Sequence, residues 1–132
     1  MNPDEEAFVD AFVVRAKRDR FKGLLAHPKR RAKFLDALNH SRDFDLAYAE
    51  LVPSDRRHDR AVVEMLLRRG ARDVCHVIAD STELDGQDLP LGDAVETATA
   101  CSYAAIVLCV PGRLAFYKGE DPGEWYLFER DR

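Results

Sequence analysis

What this chain lacks narrows it first. Its seven glycines, at positions 23, 70, 86, 92, 112, 119 and 123, form neither G-x-G-x-x-G nor G-x-x-x-x-G-K-[ST]. The common phosphate-cradling loops of nucleotide-dependent enzymes are therefore absent. No G-x-S-x-G elbow occurs, and Ser41, Ser54, Ser81 and Ser102 stand in no recognisable triad context. Cysteine is scarce: Cys75, Cys101 and Cys109 are odd in number and show no C-x-x-C spacing. That excludes a disulfide scaffold and predicts a reducing, cytoplasmic setting, with all three thiols as buried structural residues. Long hydrophobic runs are missing too. The longest, residues 103–111, is about half of what a membrane span requires. The opening MNPDEEAFVD is acidic where an export signal is basic, so none is expected.

Metal-ligand spacings are equally thin. Cys75 and His76 are neighbours in a predicted strand, so they point to opposite faces and do not share one ion. His27 precedes Pro28, His40 follows a predicted helix, and His58 lies in the first turn of one. The adjacent pair His58-Asp59 lacks the distant His and Asp that metal-dependent phosphohydrolases add. No cofactor is predicted.

What is present is a foldable, highly charged chain. Its 132 residues are 46% hydrophobic and 33% charged, with a net charge of −4. This reads as one domain over residues 1–132 with a real core, and it excludes a disordered or collagen-like chain. The net charge conceals a split. Residues 1–72 hold 16 Lys+Arg and 12 Asp+Glu, a net of +4, whereas residues 73–132 hold 4 and 12, a net of −8. Between Arg15 and Lys33 stand nine basic residues and one acid, Asp19. Such asymmetry points to an anionic partner, or to docking of the basic half on the acidic half.

Periodicity divides the chain at the same place. Phe8, Phe12 and Ala16, with Val9 and Val13 beside them, predict a helix over about 4–18, with Asp4, Glu5 and Glu6 at its positive end. A shorter helix carries Phe21, Leu24 and Leu25 and stops before His27-Pro28. Pro28 should open a third, running from Lys29 to Asn39. Residues 41–53 read as irregular chain with one helical turn. Ser54 is the expected N-cap of a helix bearing Val62, Val63, Leu66 and Leu67, which Gly70 should close in a left-handed conformation.

The second half predicts a strand over 74–79, an acidic loop over 80–88, a helix over 91–100, and strands over 104–110, 114–118 and 125–129. The expected fold is α+β: an N-terminal helical layer (1–72) packed on a mixed four-stranded sheet of β-α-β-β-β order (73–132). The α crossover makes the first two strands parallel.

Two candidate sites follow. The basic stripes place Arg18 with Lys22, and Lys29 with Lys33 and Arg30, where they can neutralise an anionic polymer. The aromatics between them, Phe21 and Phe34, belong to the apolar stripes and serve the core rather than base stacking. The second site is a crevice at the carboxyl ends of the two parallel strands. Asp80, Ser81, Glu83 and Asp85 would line it, with Arg113 from the next turn. The loop from Asp80 to Asp88 departs from the calcium-loop pattern at its first and last positions. Trp125, Tyr126, Leu127 and Phe128 place large side chains on both faces of the last strand. If that strand forms the sheet edge, it can pair with a protein partner or a second copy as a homodimer.

The expected function is a non-catalytic binding or regulatory module. It would act through charge complementarity with a macromolecule, protein or nucleic acid. The alternative is a metal-assisted phosphoesterase or nuclease in which the loop carboxylates hold Mg²⁺ and the basic helices guide the phosphate backbone.

Overall fold

A computed structural model describes residues 1–38, 43–80 and 83–130. Helix α1 (Pro3–Phe12) starts where expected: the Asn2 side chain accepts from the N–H groups of Asp4 and Glu5, and Pro3 sits in the first turn. It stops at Phe12, short of the predicted end. Val13 and Val14 are consecutive β-branched residues, which favour extended backbone. Val13 forms an isolated antiparallel bridge with Phe44, and its carbonyl accepts from Arg18 Nε at 2.9 Å. A 3-10 turn (Arg15–Lys17) leads into α2 (Arg18–Ala26), which ends before His27-Pro28 as predicted. Pro28 opens a 3-10 turn (Pro28–Arg30) rather than an α-helix, and α3 (Arg31–Leu38) follows it.

Strand β1 (Ala49–Leu51) emerges after a 3-10 turn at Leu46–Tyr48, in the segment expected to be irregular. Helix α4 (Asp59–Arg68) is capped by His58, whose Nδ1 accepts from the Ala61 N–H at 3.3 Å. The expected cap, Ser54, lies instead in a separate 3-10 turn. Gly70, at φ +94°, does close α4. The Gly70 and Ala71 N–H groups bond back to the Leu67 and Leu66 carbonyls, a Schellman ending. There follow β2 (Val74–Ala79), β3 (Asp88–Pro90), α5 (Leu91–Ala100), β4 (Ala105–Val110), β5 (Leu114–Lys118) and β6 (Trp125–Glu129).

The fold is α+β, but the sheet differs from the expectation. It has six strands in the order β1-β6-β5-β4-β2-β3. Each neighbouring pair is antiparallel, including β2 with β4. The reason is the short strand β3. After β2 the chain turns back along β3, and α5 then carries it forward again, so β4 enters from the far end with Ala105 opposite Ala79. A helix alone between two strands would have left them parallel.

Alternation along the strands divides the core into two layers. On one face Ile78, Ile106, Leu108, Ala115, Tyr117 and Phe128 meet the apolar stripes of α1, α2 and α3. On the other, Val77, Val107, Phe116 and Leu127 meet α4 and α5. Helix α4 therefore leaves the N-terminal helical layer and pairs with α5 across the sheet. No helix of the described residues is long and apolar enough to cross a membrane.

Candidate functional site

The first candidate, the basic block, resolves into tied and free cations. Arg18 donates to the Val13 carbonyl, and Lys22 pairs with Asp10 at 2.6 Å and reaches Glu6 at 4.0 Å. Those two residues thus close the α1–α2 corner. Hydrogen bonding to Asp10 raises the Lys22 pKa above its ordinary value. Lys29, Arg30 and Lys33 are exposed, and among the described residues they have no ion-pair partner. Arg15, Lys17 and Arg20 likewise have no ion-pair partner among the described residues; Arg15 and Arg20 are exposed and Lys17 is half-buried. Phe21 and Phe34 do serve the core: both are buried and stack edge to face at 5.5 Å.

The predicted acidic crevice does not assemble with Arg113. Because β2 and β4 are antiparallel, their carboxyl ends lie at opposite ends of the sheet. Arg113 sits beside Gly70 and offers its carbonyl to the Arg130 N–H. Asp80 is exposed and lines a cavity of about 530 Å³ with Asp93, Glu96 and Cys101. Glu83 is also exposed, and Ser81 lies outside the described residues. Among the described residues no three His, Cys, Asp or Glu side chains converge to hold a metal ion.

Asp85 has a different task. One oxygen accepts from the Ala79 N–H at 3.1 Å and from Arg31 Nη2 at 2.9 Å; the other accepts from Arg31 Nε at 2.7 Å. The same guanidinium clasps both oxygens of Glu5, at 2.7 and 2.9 Å. Glu5 in turn lies 2.7 Å from His76 Nε2, and His76 Nδ1 lies 2.7 Å from Asp88. Five charged side chains thus run Asp88–His76–Glu5–Arg31–Asp85. They join β3, β2, α1, α3 and the β2–β3 loop. Glu5 is 2% exposed and His76 3%.

Electrostatics fix the protonation states. Burial alone would raise the Glu5 pKa, but hydrogen bonds from His76 and Arg31 hold it below the usual carboxylate value. Burial alone would lower that of His76, yet its hydrogen bonds to Glu5 and Asp88, and the attraction of both carboxylates, raise it. Hydrogen bonding to Asp85, and then to Glu5, keeps Arg31 firmly charged. Two ring nitrogens facing two carboxylates are both satisfied as donors when each carries a proton, so the geometry stabilises the imidazolium form of His76. In that form both nitrogens are engaged as donors and neither is free to accept a proton. The network clamps elements together.

Sequence reasoning passed over Glu5, Arg31 and His76, though two signals mark them. Glu5 falls at i−3 and i−4 from Phe8 and Val9, on the buried stripe of α1. His76 interrupts an otherwise apolar strand. A charge on a core stripe calls for a buried partner.

The predicted interface strand is also placed otherwise. β6 lies between β1 and β5, with Phe128 opposite Ala49 and Ala115. The residues Trp125, Tyr126, Leu127 and Phe128 are therefore not a sheet edge, and the edges belong to the three-residue strands β1 and β3. Comparison with family models, curated proteins and solved structures finds no match to this chain.

Proposed function

We propose that this chain is a non-catalytic binding module that meets an anionic macromolecule through the basic turns around α2 and α3. One observation carries the reading. Within the block of nine cations, Lys22 and Arg31 are held by carboxylates, Arg18 by a carbonyl, and the other six have no ion-pair partner among the described residues. Among the described residues, Arg31 alone of the nine meets a carboxylate of the acidic half, through Asp85. Internal neutralisation therefore leaves most of the block available to an outside anion. Lys29, Arg30 and Lys33, on two adjoining turns, form its exposed centre.

Metal-assisted phosphoester cleavage draws no comparable support. Asp85, central to that alternative, has both oxygens engaged by Arg31.

Retention on immobilised nucleic acid and on an immobilised acidic polypeptide, at low and at high salt, tests the proposal. Binding to one of them that weakens steeply with salt is expected, since each phosphate or carboxylate met releases a counterion. Failure to bind either at low salt would overturn the reading.

A further inference from the structure

The β2–β4 register aligns Val77 with Val107 and His76 with Leu108. The paired register ends there, and one further step along it would bring Cys75 opposite Cys109. The backbone pattern says which kind of pair this is. The Val77 N–H bonds to the Gln87 carbonyl, and the Leu91 N–H to the Asp73 carbonyl. Odd positions of β2 thus direct their backbone groups toward β3, and even positions direct theirs toward β4. Cys75 therefore directs its backbone groups away from β4. In a regular ladder such a position is non-hydrogen-bonded, with Cα atoms about 4.5 Å apart and side chains closest, while here the Cys109 carbonyl turns to accept from the Arg72 N–H at 3.4 Å. A disulfide needs Cα atoms about 4.4–6.8 Å apart. Each thiol donates to a backbone carbonyl, Cys75 to Arg72 at 3.5 Å and Cys109 to Val107 at 3.7 Å, and the two are close enough for each to shift the other's titration. They lie on the sheet face covered by α4 and α5. At Cys109 the β4–β5 register shifts by a bulge, a local irregularity that loosens strand geometry.

We propose that Cys75 and Cys109 form a redox site that a peroxide closes into a disulfide across β2 and β4. The Cys75 thiolate attacks one peroxide oxygen; the O–O bond breaks, hydroxide leaves, and a proton makes it water. Cys75 becomes a sulfenic acid. The Cys109 sulfur then attacks the Cys75 sulfur, an S–S bond forms, the S–O bond breaks, and the oxygen leaves as water with the Cys109 proton. Two thiols give up two protons and two electrons, and the peroxide is reduced to two waters.

The pair is asymmetric in the sense this sequence needs. Interaction with the Cys109 side chain, aided by the Arg72 guanidinium, pulls the Cys75 thiol below its ordinary pKa. The same contact, together with burial, pushes Cys109 well above its own. Cys101, at the end of α5 and not in the cross-strand pair, is the internal control; like the other two, its thiol donates to a carbonyl, that of Thr97 at 3.1 Å. Both members of the pair are at most 1% exposed. Closure is therefore gated by local opening, and mild denaturant should accelerate it.

The test treats the full chain with excess hydrogen peroxide and maps its unreduced peptides by mass spectrometry. The expected product lacks two hydrogens, links the Cys75 and Cys109 peptides, reverts with a thiol reductant and melts at a higher temperature. The link should persist in Cys101→Ser and vanish in Cys75→Ser and Cys109→Ser. Overturning results would be a link to Cys101, or sulfinic acid without a link. So would Cys75 and Cys109 remaining fully alkylatable after oxidation and unfolding.

Discussion

His76 lies 2.7 Å from a carboxylate oxygen on each side, one from Glu5 and one from Asp88. A neutral imidazole has one N–H and can satisfy only one of them as donor. Its raised pKa ties stability to pH with a definite sign. The stabilisation is fully present below the unfolded histidine value and is lost as pH rises through the folded value. Glu5 behaves oppositely: its contribution is present above the unfolded carboxylate value and is lost as pH falls through the lowered folded one. Urea midpoints measured across pH should therefore peak between these limits. His76→Gln should flatten the alkaline limb, which one proton can tilt by at most about 1.4 kcal/mol per pH unit. An alkaline limb identical in wild type and variant would contradict the assignment. Glu5→Gln removes the charge that Arg31 and His76 share and leaves both cations under-compensated. A loss of about 3 kcal/mol by urea unfolding is expected, since breaking one member of a buried ion pair strands the rest. The residue pattern was partly legible in advance: Phe8, Phe12, Phe21 and Phe34 were readable as core, and they are buried. Arg31 was not, because within a run of basic residues nothing local distinguishes the one that turns inward.

At the level of elements, long periodic segments were legible and short ones were not. The helix predicted over 91–100 and the strands over 114–118 and 125–129 appear with those bounds. Strands β1 and β3 have three residues each, too few for an alternation to register; β3 even contains Pro90, tolerated because it lies at the sheet edge. The end of α4 was readable, since only glycine takes a positive φ there without strain. Gly70→Ala should cost about 1–2 kcal/mol, for its φ is +94° and the new Cβ would meet Arg113 Nη2 at 3.1 Å. Thermal melts check this, and an unchanged Tm would show that the turn relaxes. The predicted crevice failed at this level too. A three-residue strand reversed the direction of β4 and took Arg113 to the other end of the sheet. The acidic loop that remains is bound inward through Asp85.

Across the whole molecule, one sheet is covered on both faces, by α1–α3 and by α4–α5. The Asp88–His76–Glu5–Arg31–Asp85 network pins the first of these layers to the sheet. It uses Arg31 from the basic half and Asp85, His76 and Asp88 from the acidic half. That is the internal pairing that the charge split anticipated, but it engages one cation of the block and leaves Lys29, Arg30 and Lys33 exposed. The total of −4 hides this arrangement, and the uneven halves disclose it. The central claim is that these exposed cations bind an anionic macromolecule. Fluorescence anisotropy with a labelled oligonucleotide and a labelled acidic peptide, across a salt series, tests it most directly, with wild type compared against the triple variant Lys29→Glu, Arg30→Glu, Lys33→Glu. The account predicts that wild type binds one probe; on a duplex, log K should fall by about 0.9 per phosphate neutralised for each tenfold rise in salt. The variant should lose that binding while keeping the wild-type Tm. Wild-type and variant proteins binding equally, or neither binding at low salt, would contradict it.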